Sequence, residues 1–420
     1  MNVKISPSKL TGKIIVPPSK SLSHRAIIAS ALAEGKSVIR NVKFSEDIKA
    51  TLNAIKAIGA NFEINEDTVT IYGSKVKRIN NVIDANESGS TIRFMIPISL
   101  VNSEPVTFVG KNRLVKRPLD MFFNIFDLQG IKYEHGEDYL PLKTYGGLKP
   151  GIFDVRGDVS SQFITGLLFA LPLLNGNSII NITTKLESKG YIDLTLDILE
   201  KYGIKIINNN YQSFEIIGNQ KYIPFDYTVE GDYSQAAFFL VADMLGADIK
   251  LKGMNLNSYQ GDKKILDDIK SFGGNIEIEE DYIKAYGTPI SAIIDFSQSP
   301  DLGPALTVLA SLSKGKSKFI NAERLRIKEC DRITCMKEEL EKAGAHIEEF
   351  ESGMDIDGVS NIHSATFDCH NDHRVAMALS LLALKLDEPF VLKGAECVKK
   401  SFPDYFKVFE SLGGIISYED

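Results

Sequence analysis

A period of about 70 residues runs through the whole chain and limits what it can fold into. Six loop-to-helix junctions, marked by Lys20, Gly89, Ser160, Asp232, Asp301 and Asp372, are spaced 69, 71, 72, 69 and 71 residues apart. Six glycines, Gly59, Gly130, Gly203, Gly273, Gly344 and Gly413, each follow an amphipathic helical stretch, at spacings of 71, 73, 70, 71 and 69. A glycine just past a helix takes the left-handed conformation that closes it, so each reads as a helix stop. Two independent markers with one period predict six copies of one supersecondary unit.

The hydrophobic spacing inside a unit switches between helical and alternating, giving helix, strand, helix, strand, strand. In the fourth unit these are a helix from Ser234 to Leu245, a strand over 248–252, a helix over 263–272 and strands over 276–278 and 282–285. The sixth unit stops after one closing strand, 415–418, while the chain opens with strands over 3–6 and 13–16 that follow no helix. The N-terminal segment is therefore expected to complete the last unit. The expected domains are residues 18–229, with three repeats, and residues 1–17 plus 230–420, with the other three. Each half of a 420-residue chain is large enough for its own core.

The first junction, Pro17-Pro18-Ser19-Lys20-Ser21-Leu22-Ser23-His24-Arg25, shows what the repeat carries. Two prolines end an extended segment, Ser19 or Ser21 can cap the helix, and Lys20 and Arg25 bracket its first turn. Unpaired N–H groups and the positive end of the helix dipole suit a phosphate or carboxylate there. Only 11 of the 48 basic residues are arginine, and nine of them (25, 93, 113, 117, 156, 324, 326, 332, 374) lie in or beside such loops. Arginine binds carboxylate and phosphate in a planar, two-point fashion, so a small polyanion in a cleft is the expected ligand. The net charge of −7 argues against a nucleic-acid surface. The chain has no apolar run near membrane-spanning length and no signal-peptide-like start, and Cys330, Cys335, Cys369 and Cys397 lack metal-ligand spacing. A reduced, cytoplasmic protein is expected.

Together these stretches resemble the 5-enolpyruvylshikimate-3-phosphate synthase family of enolpyruvyl transferases. The resemblance is carried by Pro18-Ser19-Lys20-Ser21, Ser88-Gly89-Ser90-Thr91 with Arg93, Arg113 followed by Arg117-Pro118, and Val159-Ser160-Ser161-Gln162-Phe163. It continues with Ser188-Lys189-Gly190-Tyr191-Ile192-Asp193, Gly231-Asp232, Pro300-Asp301, Arg326-Ile327-Lys328-Glu329-Cys330-Asp331-Arg332, Asn371-Asp372-His373-Arg374 and Lys400-Ser401-Phe402-Pro403-Asp404-Tyr405. It covers essentially the whole chain. The fold it implies is a two-domain, inside-out α/β barrel with six βαβαββ-type repeats, three per domain. Helices are buried, sheets face outward, and helix N-termini point into the cleft between domains.

The reaction the resemblance implies joins phosphoenolpyruvate to shikimate 3-phosphate. The 5-hydroxyl attacks C2 of the enolpyruvyl group while C3 is protonated, and the tetrahedral adduct then expels phosphate. Four anionic groups must be held together, which helix dipoles and arginines offset in a closed site. The chemistry needs proton transfer but no metal and no organic cofactor. The resemblance implies Asp301 as proton acceptor, with Glu329 and Lys20 near C2 and C3. For shikimate 3-phosphate it implies Lys20, Ser21, Arg25, Ser160, Ser161, Gln162, Ser188, Asp301 and Lys328, with Tyr191 against the carbocycle and Arg324 alongside. For phosphoenolpyruvate it implies Lys20, Gly89, Arg113, Gln162, Glu329, Arg332, Arg374 and Lys400. Helix capping is the plain alternative for Ser160, Ser161, Ser188 and Asp301, and packing on its own strand for Tyr191.

Three positions depart from the common family pattern. Pro18 replaces a usual glycine, Glu87 a frequent asparagine, and Arg324 an asparagine found in some members. Glu87 adds negative charge near the enolpyruvyl pocket, which bears on the anionic inhibitor glyphosate for which the family is known. Two other readings compete with this one. UDP-N-acetylglucosamine enolpyruvyl transferases carry a cysteine in the loop that here reads Gly110-Lys111-Asn112-Arg113-Leu114. RNA-cyclase-like proteins share the units but call for basic, aromatic surfaces. The expected partners are the two small substrates alone, with no nucleic acid, no membrane and a monomeric chain.

Overall fold

The computed structural model describes residues 1–279 and 281–419. Each repeat contributes two α-helices: α1 (Lys20–Leu32) and α2 (Glu46–Ala57), α3 (Gly89–Ser99) and α4 (Asp120–Gln129), α5 (Ser161–Ala170) and α6 (Lys189–Lys201), α7 (Tyr233–Met244) and α8 (Ile265–Ser271), α9 (Gly303–Ser311) and α10 (Arg332–Lys342), α11 (His373–Ser380) and α12 (Tyr405–Ser411). The six glycine stops all lie in the left-handed region, with φ between 69° and 104°. The junction markers all fall where the first helix of a repeat begins. Ser88, Ser160, Asp232 and Asp372 cap α3, α5, α7 and α11 with their side chains. Asp301 lies in the single turn Pro300–Leu302 that leads into α9.

Every repeat builds one four-stranded sheet. In the third, Ile152–Val155 runs parallel to Ser178–Ile182, which pairs antiparallel with Ser213–Ile216, and Ile206–Asn209 closes the edge. The parallel strand ahead of the first helix is an element that the alternation pattern missed. It spans three residues at Val82–Asp84, Ile293–Asp295 and Thr366–Asp368 and two at Tyr227–Thr228, too few to establish a period. The N-terminal strands part company. Asn2–Ser6 sits between Phe390–Lys393 and Ile415–Glu419 and completes the sixth repeat. Thr11–Ile15 instead pairs with Asp248–Lys252 in the fourth repeat, while Tyr227–Thr228 pairs with Gly35–Arg40 in the first. Each of these two strands thus leads into a helix of the other unit.

The chain divides into two compact units, Lys20–Val229 and Met1–Ser19 with the chain from Glu230 onward. The fold is inside-out α/β: the first helices of the repeats are buried within each unit and the sheets lie outside them. Helices α7, α9 and α11 are buried along their whole length, and α1 from Leu22 onward. A helix apolar on every side has no solvent face to offer, which is why the sheets cover it. Phe94 of α3 and Phe169 of α5 meet with ring centroids 6.1 Å apart. Side chains of this size contribute about 1.5–3 kcal/mol each on burial. Gly166 lets α3 and α5 approach, since a Cβ there would come 2.4 Å from the Arg93 carbonyl oxygen. That contact sets Arg93 and Gln162 side by side at the helix starts.

Candidate active site

In the unit Lys20–Val229 most of the candidate residues lie near the starts of α1, α3, α5 and α6. Lys20 Nζ pairs with Asp47 at 2.8 Å in the first turn of α2. Arg25 is buried and donates from Nε to Thr195 at 2.9 Å, from Nη1 to the Ser21 carbonyl at 2.8 Å and from Nη2 to the Tyr191 carbonyl at 2.9 Å. Its guanidinium also lies 5.3 Å from the Phe94 ring centre. Two of these bonds reach α6 and one returns to α1, so Arg25 ties the two helices together. Tyr191 opens helix α6 rather than packing on a strand, because Gly190 and Tyr191 fall in its first turn.

A second group surrounds Gln162. Arg93 Nη1 donates to Gln162 Oε1 at 2.8 Å, and Gln162 Nε2 donates to Ser90 Oγ at 2.9 Å, so the amide bridges α3 and α5. Ser160 accepts the Gln162 N–H at 3.3 Å as the cap of α5. Ser161 is buried beside it, in the first turn. Ser188 is buried, does not cap α6 with its side chain, and holds φ at 55°, a conformation costing a serine roughly 1–2 kcal/mol. Strain of this kind collects where a side chain must be aimed. A Cβ on Gly89 would lie 2.5 Å from the Arg117 guanidinium, so only glycine leaves that arginine in place. Arg113 stands exposed on the turn Asn112–Lys116.

Beneath these turns runs a buried row of hydrogen bonds. Thr91 donates its hydroxyl to Ser88 at 2.8 Å, Thr51 lies 2.6 Å from Thr91, and His24 Nδ1 lies 2.7 Å from Thr51. With one proton per hydroxyl, Thr51 donates to Thr91 and His24 donates to Thr51. Burial, then Lys20 and Arg25, push His24 well below its ordinary pKa, so it remains neutral. The row ties α1, α2 and α3 to one another.

In the other unit the residues form one ion-pair cluster around Asp301. Its carboxylate meets Arg332 Nη1 at 2.9 Å, Lys328 Nζ at 3.2 Å and Arg374 Nη2 at 3.2 Å. Arg332 also donates to Glu329 at 2.7 Å and from Nε to Asp372 at 2.8 Å. Asp301 is therefore not a helix cap: its oxygens are turned to these cations, and α9 has no side-chain cap. Burial alone would raise the Asp301 carboxyl, but Arg374, Lys328 and Arg332 hold it well below the usual carboxylate range. Burial drives Lys328 down to about 8 against the pull of Asp301, and the nearby charges of Arg324 and Arg332 add to the depression. Burial also opposes the charge on Arg332, yet Asp372, Glu329 and Asp301 keep it protonated. Arg324 is buried on the turn Glu323–Ile327, and Lys400 Nζ donates to the Asn371 carbonyl at 2.7 Å.

Sequence reasoning missed Asp47 and the carboxylate role of Asp372. An acidic residue in a helix's first turn is ordinary, which hid Asp47 behind the Ser45 cap. Arg156 and Arg326, counted among the loop arginines, are held in local ion pairs with Asp158 and Asp331.

Comparison with known proteins gives the family. Residues 5–409 match the sequence model of the family described as EPSP synthase (3-phosphoshikimate 1-carboxyvinyltransferase). The chain is 50% identical over 426 residues to the 3-phosphoshikimate 1-carboxyvinyltransferase of Clostridium novyi (strain NT), covering 99% of this chain and 98% of that one. It is 49% identical over 428 residues to that of Clostridioides difficile (strain 630), with 99% and 98% coverage. Among solved structures, EPSP synthase from Acinetobacter baumannii superposes with a TM-score of 0.81 at 26% identity over 99% of this chain and 100% of that one. The enolpyruvyl transferase NikO from Streptomyces tendae shares the fold, with a TM-score of 0.80 at 16% identity, covering 100% and 98%. This chain belongs to the EPSP synthase (3-phosphoshikimate 1-carboxyvinyltransferase) family.

Proposed function

We propose that the enzyme transfers the enolpyruvyl group of phosphoenolpyruvate to the 5-hydroxyl of shikimate 3-phosphate, releasing phosphate. The observation that carries the chemistry is Asp301 set among Lys328, Arg332 and Arg374. A carboxylate held this low stays ionised but is a weak base, so it suits a proton handed over as the new bond forms rather than before. In the first step O5 bonds to C2, the O5 proton passes to Asp301, and C3 takes a proton, for which Glu329 is the candidate donor. In the second, C3 loses a proton and the C2–phosphate bond breaks.

The remaining roles follow from charge and reach. Arg332 and Arg374, with Lys400, bind the carboxylate and phosphate of phosphoenolpyruvate. Lys20, Gly89, Arg113 and Gln162 are assigned to phosphoenolpyruvate by the same family resemblance. Ser21, Arg25, Ser160, Ser161, Ser188 and Tyr191, with Lys328 and Arg324, serve shikimate 3-phosphate. The chain acts on these small molecules as a monomer in the cytoplasm. Phosphate release from phosphoenolpyruvate, measured with shikimate 3-phosphate or UDP-N-acetylglucosamine offered separately, tests the reading. Turnover only with shikimate 3-phosphate supports it, and turnover with the nucleotide sugar alone overturns it.

A further inference from the structure

Two carboxylates and an imidazole meet at a place the reaction does not use. Glu338 and Glu339 lie on α10, and His370 lies in the turn that follows the strand Thr366–Asp368. His370 Nε2 is 2.8 Å from Glu339 Oε1. Adjacent residues on a helix project about 100° apart, so neighbouring glutamates ordinarily face different surroundings. Here Glu338, Glu339 and His370 each bring one ligand atom to within 4.8 Å of the other two. No other three His, Cys, Asp or Glu side chains among the described residues converge so closely.

Hydrogen bonds behind the group fix which atom each side chain presents. Glu339 is buried, and its Oε2 accepts the Asp368 N–H at 2.8 Å and Lys342 Nζ at 2.7 Å, which leaves Oε1 turned to the ring. The His370 N–H donates to Asp368 Oδ1 at 2.6 Å, so Asp368 anchors both partners. Such outer contacts are what hold a ligand set ready for an ion. The His370 side chain is 25% exposed and Glu338 is exposed, so the group is open to solvent. A tetrahedral ion bound at about 2.0–2.2 Å sets two ligand atoms roughly 3.4 Å apart, so the 2.8 Å contact has to open by only about 0.6 Å. Lys342 opposes a cation from the far oxygen of Glu339, and the second carboxylate, Glu338, offsets that charge.

We infer that Glu338, Glu339 and His370 form a site for a divalent transition-metal ion, with Zn²⁺ the best match. An imidazole nitrogen beside carboxylate oxygens suits zinc and its neighbours, whereas Mg²⁺ and Ca²⁺ prefer oxygen alone. Three protein ligands leave the fourth tetrahedral position to water. The ion takes the place of the hydrogen-bonded proton between His370 and Glu339. The site shares no residue with the Asp301 cluster, and it stands whatever the enzyme's substrates are.

The test titrates Zn²⁺ into the reduced, full-length enzyme by calorimetry after chelator treatment, and repeats the titration with Co²⁺ followed by absorbance. The expected result is one ion per chain, a Co²⁺ spectrum of nitrogen and oxygen donors, and no displacement by excess Mg²⁺. His370→Ala should abolish this binding, and Glu338→Gln, a change at an exposed position, should weaken it roughly tenfold or more. The melting temperature should rise with Zn²⁺ in the parent chain and stay unchanged in His370→Ala. The inference is overturned if no ion binds, if both variants bind as the parent does, or if Co²⁺ shows a thiolate charge-transfer band, which would put the ion on cysteine.

Discussion

Arg332 Nε lies 2.8 Å from Asp372 Oδ2 in a pair no more than 1% exposed, and Asp372 Oδ1 accepts the Arg374 N–H at 2.8 Å as the cap of α11. One carboxylate therefore fixes two arginines that come from different repeats. Asp372 holds the guanidinium of Arg332 and the backbone of Arg374, and Asp301 meets both guanidinium groups, at 2.9 and 3.2 Å. Binding a carboxylate and a phosphate at fixed separation requires that kind of rigidity.

Arg332→Ala should be the most damaging single change in this cluster. It strips the partner from Asp301, Glu329 and Asp372 at once, and removing one member of a buried ion pair costs about 3–5 kcal/mol. Thermal unfolding should show a clear loss of stability, and any folded fraction should have a raised KM for phosphoenolpyruvate. Arg332→Lys should recover most of the stability but little of the KM, because an ammonium cannot span Asp301, Glu329 and Asp372 together.

Asp47→Asn should weaken catalysis with the fold intact. The substitution keeps the shape of the side chain but releases Lys20 from a pair 2.8 Å long. A hydrogen bond to a charged group is worth about 1.5–3 kcal/mol, so kcat/KM should fall roughly ten- to hundredfold. Steady-state kinetics beside a melting curve check this; a wild-type kcat/KM would show that Lys20 needs no such anchor.

Lys328 gives a pH dependence with a definite sign. Its pKa is lowered to about 8, so the cation is present below that pH and lost above it. The KM for shikimate 3-phosphate should rise roughly tenfold between pH 7 and pH 9, as the charged fraction falls to about a tenth. Lys328→Arg should flatten the curve over that range, since a guanidinium stays charged. On the acid side Asp301 should remain ionised below the usual carboxylate range, because Arg374, Lys328 and Arg332 oppose its protonation.

Much of the architecture was legible because it is written in backbone chemistry. Gly59 to Gly413 announce left-handed helix stops, and Ser88, Ser160, Asp232 and Asp372 announce caps, both local requirements that one residue satisfies. The leading strands, two or three residues long at Tyr227–Thr228 and Val82–Asp84, carry too few positions to show alternation. The exchange of Thr11–Ile15 and Tyr227–Thr228 depends on pairings more than 180 residues apart, which no local pattern records. Within the site, the gathering of arginines in loops flagged Arg332 and Arg374, and the family resemblance supplied Lys328. Asp47 looked like any acidic residue near a helix start, and only its distance to Lys20 separates it from a solvated one.

The most direct measurement is turnover of Asp301→Asn with both substrates. The variant keeps the size of the side chain and removes the negative charge that meets Lys328, Arg332 and Arg374. Loss of the proton acceptor should lower kcat by roughly 10²–10⁴ while calorimetry still detects binding of phosphoenolpyruvate and shikimate 3-phosphate. A variant that binds both and turns over within a few-fold of the parent would contradict the placement of the chemistry at Asp301.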